Sequence, residues 1–168
     1  YSRHAKKGGD HIAKLDQLLQ SVFLEMFGDP VTNPKGWPTV LVGDAFSAFI
    51  GGKNVECPDS GSSPYRILKV SAVTKTVFAP DQSKRAPDDL VPDSEHIVRN
   101  GDLLFSRANT AELVAATAYV WETPPNLVLP DKIWRMVLRD ESKLAPLFAW
   151  ELFKNRAFRD ELSKRSSG

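Results

Sequence analysis

The sequence has few of the residues that build disulfide frameworks, metal sites and histidine-dependent active sites. It contains one cysteine, Cys57, in 168 residues, which excludes an internal disulfide and a cysteine-rich zinc site. Its three histidines, His4, His11 and His96, are scattered and predict neither a zinc site nor a histidine-assisted nucleophile. No apolar run approaches the roughly 20 residues of a membrane span, and none of about 7–15 residues follows the basic start, as a secretory signal requires. We therefore expect a cytoplasmic protein with no metal site and no membrane partner.

Neither sign of charge dominates the composition. The chain has 22 Lys and Arg against 21 Asp and Glu, a formal net charge of +1, which does not by itself indicate a nucleic-acid-binding protein. The acidic residues are concentrated between positions 81 and 95, whereas segments 51–54, 65–75 and 106–110 have a basic or polar excess. Only folding can gather these segments onto one face, and such a patch matters more for binding than the net charge.

Apolar periodicity predicts a helix over residues 12–27. Gly28 and Pro30 are expected to end it. Two heptads are too short for a stable isolated coiled coil, so the apolar seam either packs on the chain's own domain or pairs with a second helix outside it. We favour the second alternative. The predicted helix-pairing residues alternate at spacings of three and four, which is typical of a coiled-coil seam: Ile12, Leu15, Leu19, Val22 and Met26.

A proline-rich break divides the chain. Three prolines fall within residues 30–38, and such a segment behaves as a stiff linker. The predicted organisation is a basic N-terminal tail (1–10), a spacer or coiled-coil helix segment (11–28), a linker (29–38) and one domain (39–168).

The domain after the linker is predicted to be α+β, with mostly short strands in a mixed sheet arrangement and a C-terminal helix starting near Ala145 and Pro146. Its strands are separated by long loops rich in Pro, Asp, Ser and Gly, and long ordered loops are often functional. β-branched, aromatic and alternating apolar residues predict strands at 40–42, 46–50, 65–70, 76–79, 102–107, 114–121 and 132–139.

The sequence carries no signature of a nucleotide-binding loop, neither G-x-x-x-x-G-K-[ST] nor G-x-G-x-x-G after a strand. A nuclease-like pattern is present in Asp131, Glu141 and Lys143. A metal nuclease needs both carboxylates on one divalent ion, at about 2–2.6 Å. Because residues 132–139 predict one unbroken strand, we expect Asp131 and Glu141 at its opposite ends. A nuclease remains an alternative hypothesis, but we favour a protein that is not an enzyme.

Several side chains are of the types that contact DNA. Arg and Lys suit guanine and Asn suits adenine in the major groove, while other cations hold phosphates. A double glycine before Lys53 is expected to let the backbone approach a duplex closely. Taken singly, each of these residues is more typical of a solvated surface side chain. Only the whole set indicates a DNA-binding site. The candidate DNA-binding residues are Lys53, Asn54, Lys69, Lys75, Lys84, Arg85, Arg107, Asn109, Thr110 and Lys132.

Several stretches together resemble the DNA specificity (S) subunit of type I restriction-modification enzymes, at the end of a spacer helix and through one target recognition domain. The resemblance extends from about residue 14 over nearly the whole remaining chain. One departure is Ala115, where that family often has glycine. The stretches are Leu15-Asp16-Gln17-Leu18-Leu19, Phe27-Gly28-Asp29-Pro30, Gly36-Trp37-Pro38, Gly51-Gly52-Lys53, Tyr65-Arg66-Ile67-Leu68-Lys69-Val70, Gly101-Asp102-Leu103-Leu104-Phe105-Ser106-Arg107, Glu112-Leu113-Val114 and Pro146-Leu147-Phe148.

The resemblance implies a non-catalytic subunit that reads one half of a bipartite site in double-stranded DNA. In that family two long helices pair as an antiparallel coiled coil and set the spacing between the half-sites. Modification (methyltransferase) subunits and restriction subunits dock on this scaffold, and the S-adenosylmethionine, ATP and Mg²⁺ belong to those partners, so this chain needs no cofactor of its own. The chain then pairs with a second recognition domain, or as a homodimer, through its helix. A protein-interaction scaffold that does not contact DNA remains a further alternative.

Overall fold

A computed structural model describes residues 2–107, 116–141 and 144–166, with only the backbone described for residues 2–13, 16, 163 and 165–166. The chain divides into two compact units, Tyr1–Thr39 and Val40–Gly168. None of the helices in the described ranges is both long enough and apolar enough to cross a membrane.

The first unit consists of helix α1, Ser2–Phe27, and the turns that follow it. The helix begins before the predicted start at residue 12 and includes residues assigned to a basic tail, since propagation of an existing helix adds one hydrogen bond for each residue fixed. The described side chains of the predicted seam are 41% to 60% exposed, and the side chain of Ile12 lies outside the described set. Phe23, by contrast, is buried, with its ring 5.1 Å from that of Phe27.

Side chains from the linker close the C-terminal end of α1. Gly28 adopts a φ of +81°, which ends the helix at the residue where glycine is preferred. Lys35 Nζ donates to the carbonyls of Glu25 at 2.6 Å and Met26 at 2.8 Å, and Trp37 Nε1 donates to that of Phe27 at 2.9 Å. These donors satisfy carbonyls that the last turn leaves unpaired. The positive charge of Lys35 also interacts favourably with the negative end of the helix dipole.

The second unit is built on a four-stranded antiparallel sheet. The predicted strands at 46–50, 102–107, 114–121 and 132–139 correspond to these four, and residues 114 and 115 lie outside the described residues. The strands are β1 (Phe46–Gly51), β4 (Leu103–Ser106), β5 (Thr117–Tyr119) and β7 (Ile133–Leu138). Their order across the sheet is β1-β7-β4-β5.

A smaller mixed sheet has three short strands. Its central strand β2, Arg66–Leu68, falls within the predicted strand at 65–70 and is followed by a 3₁₀ turn at Val70–Ala72. It pairs antiparallel with β3, Ser83–Arg85, and parallel with β6, Leu127–Val128. Neither β3 nor β6 was predicted, because three polar residues and two apolar ones are too short to show a period of two.

Two predicted strands are wrong, and the predicted C-terminal helix is interrupted at one residue. Residues 40 and 41 have no regular structure, and residue 42 starts the short helix α2, Val42–Ala45. Residues 76–79 contribute only an isolated bridge from Val77 to Tyr119.

The C-terminal helical segment consists of two helices, α3 (Pro146–Lys154) and α4 (Arg156–Ser166). Asn155 separates them with an extended backbone, and its Oδ1 accepts the backbone N–H of Phe158 at 3.0 Å. The predicted α+β class with a C-terminal helical segment is confirmed.

The four-stranded sheet is covered on both faces. One buried cluster joins residues of the two sheets, among them Leu104 and Ile133 from the large sheet and Leu68 and Leu127 from the small one. A second cluster joins the opposite face to the C-terminal helices and includes Phe153. Successive strand residues alternate between these faces, as the side-chain period of two requires.

A buried ion pair ties β7 to the segment that precedes β4. The Arg135 guanidinium donates to the Asp102 carboxylate at 2.8 Å, and both side chains are nearly buried. It also donates to the carbonyl of Ile97 at 2.6 Å and to that of Glu95. The backbone N–H of Arg99 donates to the same Asp102 oxygen at 2.8 Å. Both terminal nitrogens of the guanidinium thus have acceptors, while its Nε has no hydrogen-bond partner among the described residues.

Replacing Asp102 by Asn keeps the side-chain shape and removes the charge that balances Arg135. We expect the free energy of unfolding to fall by about 2–3 kcal/mol, because one partner of a buried pair is left uncompensated. Urea denaturation followed by circular dichroism measures this change. Asp59→Asn, at an exposed position, is the control and should change stability by less than about 0.5 kcal/mol. Equal stability of the two variants would contradict the role assigned to the pair.

Candidate nucleic-acid interface

Three strand ends meet at one edge of the four-stranded sheet. Strand β7 begins at Ile133, while its antiparallel neighbours β1 and β4 end at Gly51 and Ser106. Antiparallel neighbours place the start of one strand beside the end of the next. The residues just outside these three strand ends are therefore brought to the same edge of the sheet.

Four of the predicted DNA-binding residues lie at this edge: Lys53, Asn54, Arg107 and Lys132. We call these four exposed residues the basic edge. Backbone contacts hold it together: Arg107 N–H donates to the Lys132 carbonyl at 2.9 Å, and Lys53 forms a bridge with Pro130. Sequence-distant cations are thus placed side by side by strand register.

The double glycine before Lys53 is needed for packing within the domain. A Cβ at Gly52 would lie 1.7 Å from the carbonyl oxygen of Leu129, and one at Gly51 would lie 2.2 Å from Cδ1 of Trp134. Neither position has room for a side chain. In the structure, these glycines let Leu129 and Trp134 of the same domain pack closely against the backbone.

Arg107 lies over an aromatic ring. Its guanidinium carbon is 4.6 Å from the centre of the Trp134 ring, within the range of a cation–π interaction. Strand register explains the contact: Phe105 of β4 pairs with Trp134 of β7, and Arg107 is two residues farther along on the same face. Trp134 was not identified from the sequence, where it reads as one more apolar residue of a core strand.

Acidic side chains also lie close to the basic edge. Asp93 Oδ2 is 3.5 Å from Lys53 Nζ and 3.5 Å from Nδ1 of His96. Glu95 Oε1 is 3.9 Å from Nε2 of the same histidine. Lys53 is thus partly neutralised by a carboxylate that any bound phosphate would have to displace. The excess of acidic residues over 81–95 was the only sequence signal for this neighbour.

The other candidates lie elsewhere. Lys84 is exposed on β3, the outer strand of the small sheet, and Arg85 next to it is half-buried. Lys69 and Lys75 are exposed near the Val70–Ala72 turn. None of the contacts found between described residues joins these four to the basic edge. Asn109 and Thr110 lie outside the described residues.

Two carboxylates, one in each unit, hold turns of the backbone. Asp88 Oδ1 accepts the backbone N–H groups of Ser62 at 2.7 Å and Ser63 at 2.6 Å, and these bonds lower the pKa of Asp88 below its usual value. In the first unit, the backbone N–H groups of Thr32 and Val31 lower the pKa of Asp29 in the same way. In both cases hydrogen bonds to the charged form fix a turn.

The residues of the nuclease-like pattern are separated by a strand. Strand β7 is unbroken over its six residues, about 20 Å, between Asp131 and Glu141. Lys143 lies outside the described residues. Across the described residues, no three His, Cys, Asp or Glu side chains are grouped so that they could hold a metal ion.

Comparison with known proteins supports a relation to type I restriction systems. No protein-family model matches the chain. The type I restriction enzyme EcoEI specificity subunit of Escherichia coli is 27% identical over 112 residues. This stretch is 65% of the present chain and 19% of that subunit, so the chain spans only about a fifth of the relative's length. Over that stretch, the similarity agrees with the resemblance to specificity subunits.

Replacing Gly52 by Ala tests whether the double glycine sets the position of the loop that carries Lys53. A Cβ there meets the Leu129 backbone, which cannot move without disturbing the small sheet. We expect a loss of at least about 2 kcal/mol in the free energy of unfolding, measured by urea denaturation. Gly43→Ala is the matched control, because a Cβ at Gly43 meets nothing within 4 Å, and it should leave stability unchanged or raise it by about 0.4–1 kcal/mol. A Gly52→Ala protein as stable as the wild type would refute the packing constraint.

Proposed function

We propose that the chain is a target recognition module that binds a specific sequence in double-stranded DNA and has no catalytic activity of its own. The observation that carries this proposal is the basic edge, where three strand ends bring cations and an amide to one side of the sheet. The similarity to a type I specificity subunit supports the same reading. The unbroken β7 between Asp131 and Glu141 argues against the alternative of a metal nuclease.

The residues of the basic edge divide into two roles. Arg107 carries a planar set of donors that matches O6 and N7 of guanine, and the Asn54 amide matches adenine. Lys53 and Lys132 are flexible point charges suited to phosphates, which fix the register of the protein on the duplex without reading sequence. Lys69, Lys75, Lys84 and Arg85 are proposed as outlying phosphate contacts.

The exposed seam of α1 supports a role in assembly. Leu15, Leu19, Val22 and Met26 are large apolar side chains that remain exposed, and such a stripe on a helix is typical of a pairing surface. We propose that it pairs with a second spacer helix, from a second recognition domain or a second copy of the chain. The module would then read half of a bipartite target in the cytoplasm and dock modification and restriction subunits, which would bring S-adenosylmethionine, ATP and Mg²⁺.

The test separates base reading from phosphate binding. Duplexes selected by the chain from a randomised library define its preference, and titration at several salt concentrations gives affinity and salt dependence. Arg107→Ala should cost about 1–3 kcal/mol on the selected duplex and relax the preference at one base pair. Lys132→Ala should weaken all duplexes about equally and lower the salt slope by about 1.

Two outcomes would overturn the proposed function, and a third would exclude the surface assigned to it. Failure of the chain to enrich any sequence, with no salt-dependent binding to any duplex, would favour a protein-interaction scaffold. Cleavage of DNA by the chain alone with a divalent ion, abolished by Glu141→Ala, would favour a nuclease. Unchanged preference and affinity in Arg107→Ala would exclude the basic edge as the reading surface.

The acidic neighbour of Lys53 gives a further prediction. Asp93→Asn removes the carboxylate 3.5 Å from Lys53 Nζ, so the lysine becomes free to hold a phosphate. We expect tighter binding to non-selected duplexes and a salt slope steeper by up to about 0.9, measured by fluorescence anisotropy. Asp160→Asn is the matched control, since that exposed carboxylate pairs with Arg156 on α4. Equal effects of the two substitutions would mean that only net charge matters.

A further inference from the structure

We propose that Trp134 is a positioning residue, whose ring holds the Arg107 guanidinium in the orientation that reads a guanine. This inference rests on the proposed function, since it assigns the means by which the basic edge becomes selective. The juxtaposition that carries it is the guanidinium carbon 4.6 Å from the centre of the Trp134 ring, at the end of two paired strands.

The indole is itself fixed. Its Nε1 donates to the Asp131 carbonyl at 3.1 Å, and its ring centre lies 6.3 Å from that of Phe49. Gly51, directly opposite in the register, leaves the space that the indole edge occupies. The ring is therefore held on several sides by β1 and β7, and it is a rigid support for whatever lies over its face.

Arg107 is also held at its backbone. Its N–H donates to the Lys132 carbonyl at 2.9 Å, which extends the β4–β7 pairing by one residue. An exposed arginine ordinarily samples many rotamers and loses that freedom when it binds. Here backbone and guanidinium are both placed before any ligand arrives, so less entropy is lost on binding.

Contact with the ring leaves N–H donors of the guanidinium available for base reading. Its N–H donors lie in the plane of the group, so an aromatic ring over one face does not block them. A planar group held in this way can donate two parallel hydrogen bonds to O6 and N7 of guanine. A lysine at the same position has no such plane and could not donate two parallel hydrogen bonds to one guanine edge.

The experiment measures discrimination at the base pair that Arg107→Ala relaxes. In the 168-residue chain, Trp134→Leu should lower the preference for guanine there by at least about fivefold, while affinity for non-selected duplexes and the salt slope stay unchanged. Trp134→Phe keeps an aromatic face and should retain most of the preference. Trp121→Leu is the matched control at an exposed tryptophan beyond the opposite end of β5, and it should have no effect.

A measurement without DNA covers the case in which Trp134→Leu does not fold. In the wild-type chain, the ring current of the indole should move the Arg107 Nε–H proton resonance upfield of the other arginines. Arg107→Lys identifies the resonance by its loss, and Trp134→Phe should reduce the shift without abolishing it. An Arg107 resonance at the ordinary arginine position in the wild type would overturn the inference.

The outcomes also separate this inference from the proposed function. If the wild-type chain selects a sequence and Trp134→Leu keeps the full guanine preference, the positioning role is refuted and the DNA-binding function stands. The role is refuted as well if Trp134→Leu weakens every duplex equally, because a merely structural residue would do the same. If the wild-type chain selects no sequence, the proposed function fails and the inference fails with it.

Discussion

The guanidinium of Arg135 is the constraint around which the second unit is organised. It lies nearly buried in the central part of β7, where a charge is tolerated only when it is paired and hydrogen-bonded. Asp102 and the carbonyls of Glu95 and Ile97 accept from its two terminal nitrogens, so the residues before β4 must pack against β7. The same segment carries Asp93, the carboxylate beside Lys53. A buried ion pair thus places an acidic group at the surface site.

The basic edge shows how a nearly neutral chain can present a local cationic surface. Lys53, Arg107 and Lys132 are far apart in the sequence, and the net charge of +1 gives no indication of them. They become neighbours because β7 pairs on both sides with strands that run the other way. Charge at a binding surface depends on such placement more than on the total.

The residues that carry the resemblance to specificity subunits mostly serve the fold. Gly28 and Trp37 close the end of α1, Gly51 and Gly52 permit close packing, and Asp102 neutralises Arg135. Such roles depend on backbone geometry and burial. These motifs therefore describe the framework of the domain, whereas under the proposed function the choice of DNA sequence would depend on side chains such as Arg107 at the edge of the sheet.

The sequence predicted the helix of the first unit, the α+β class and the four strands of the large sheet, because those elements have a clear apolar period. It did not determine β3 and β6, which are too short for any period, or the break at Asn155, where a polar side chain caps the next helix. It identified Arg107 and Lys53 by residue type. The contacts of Trp134 with Arg107 and of Asp93 with Lys53 could not be predicted, because strand register and loop packing join residues that local sequence patterns cannot relate.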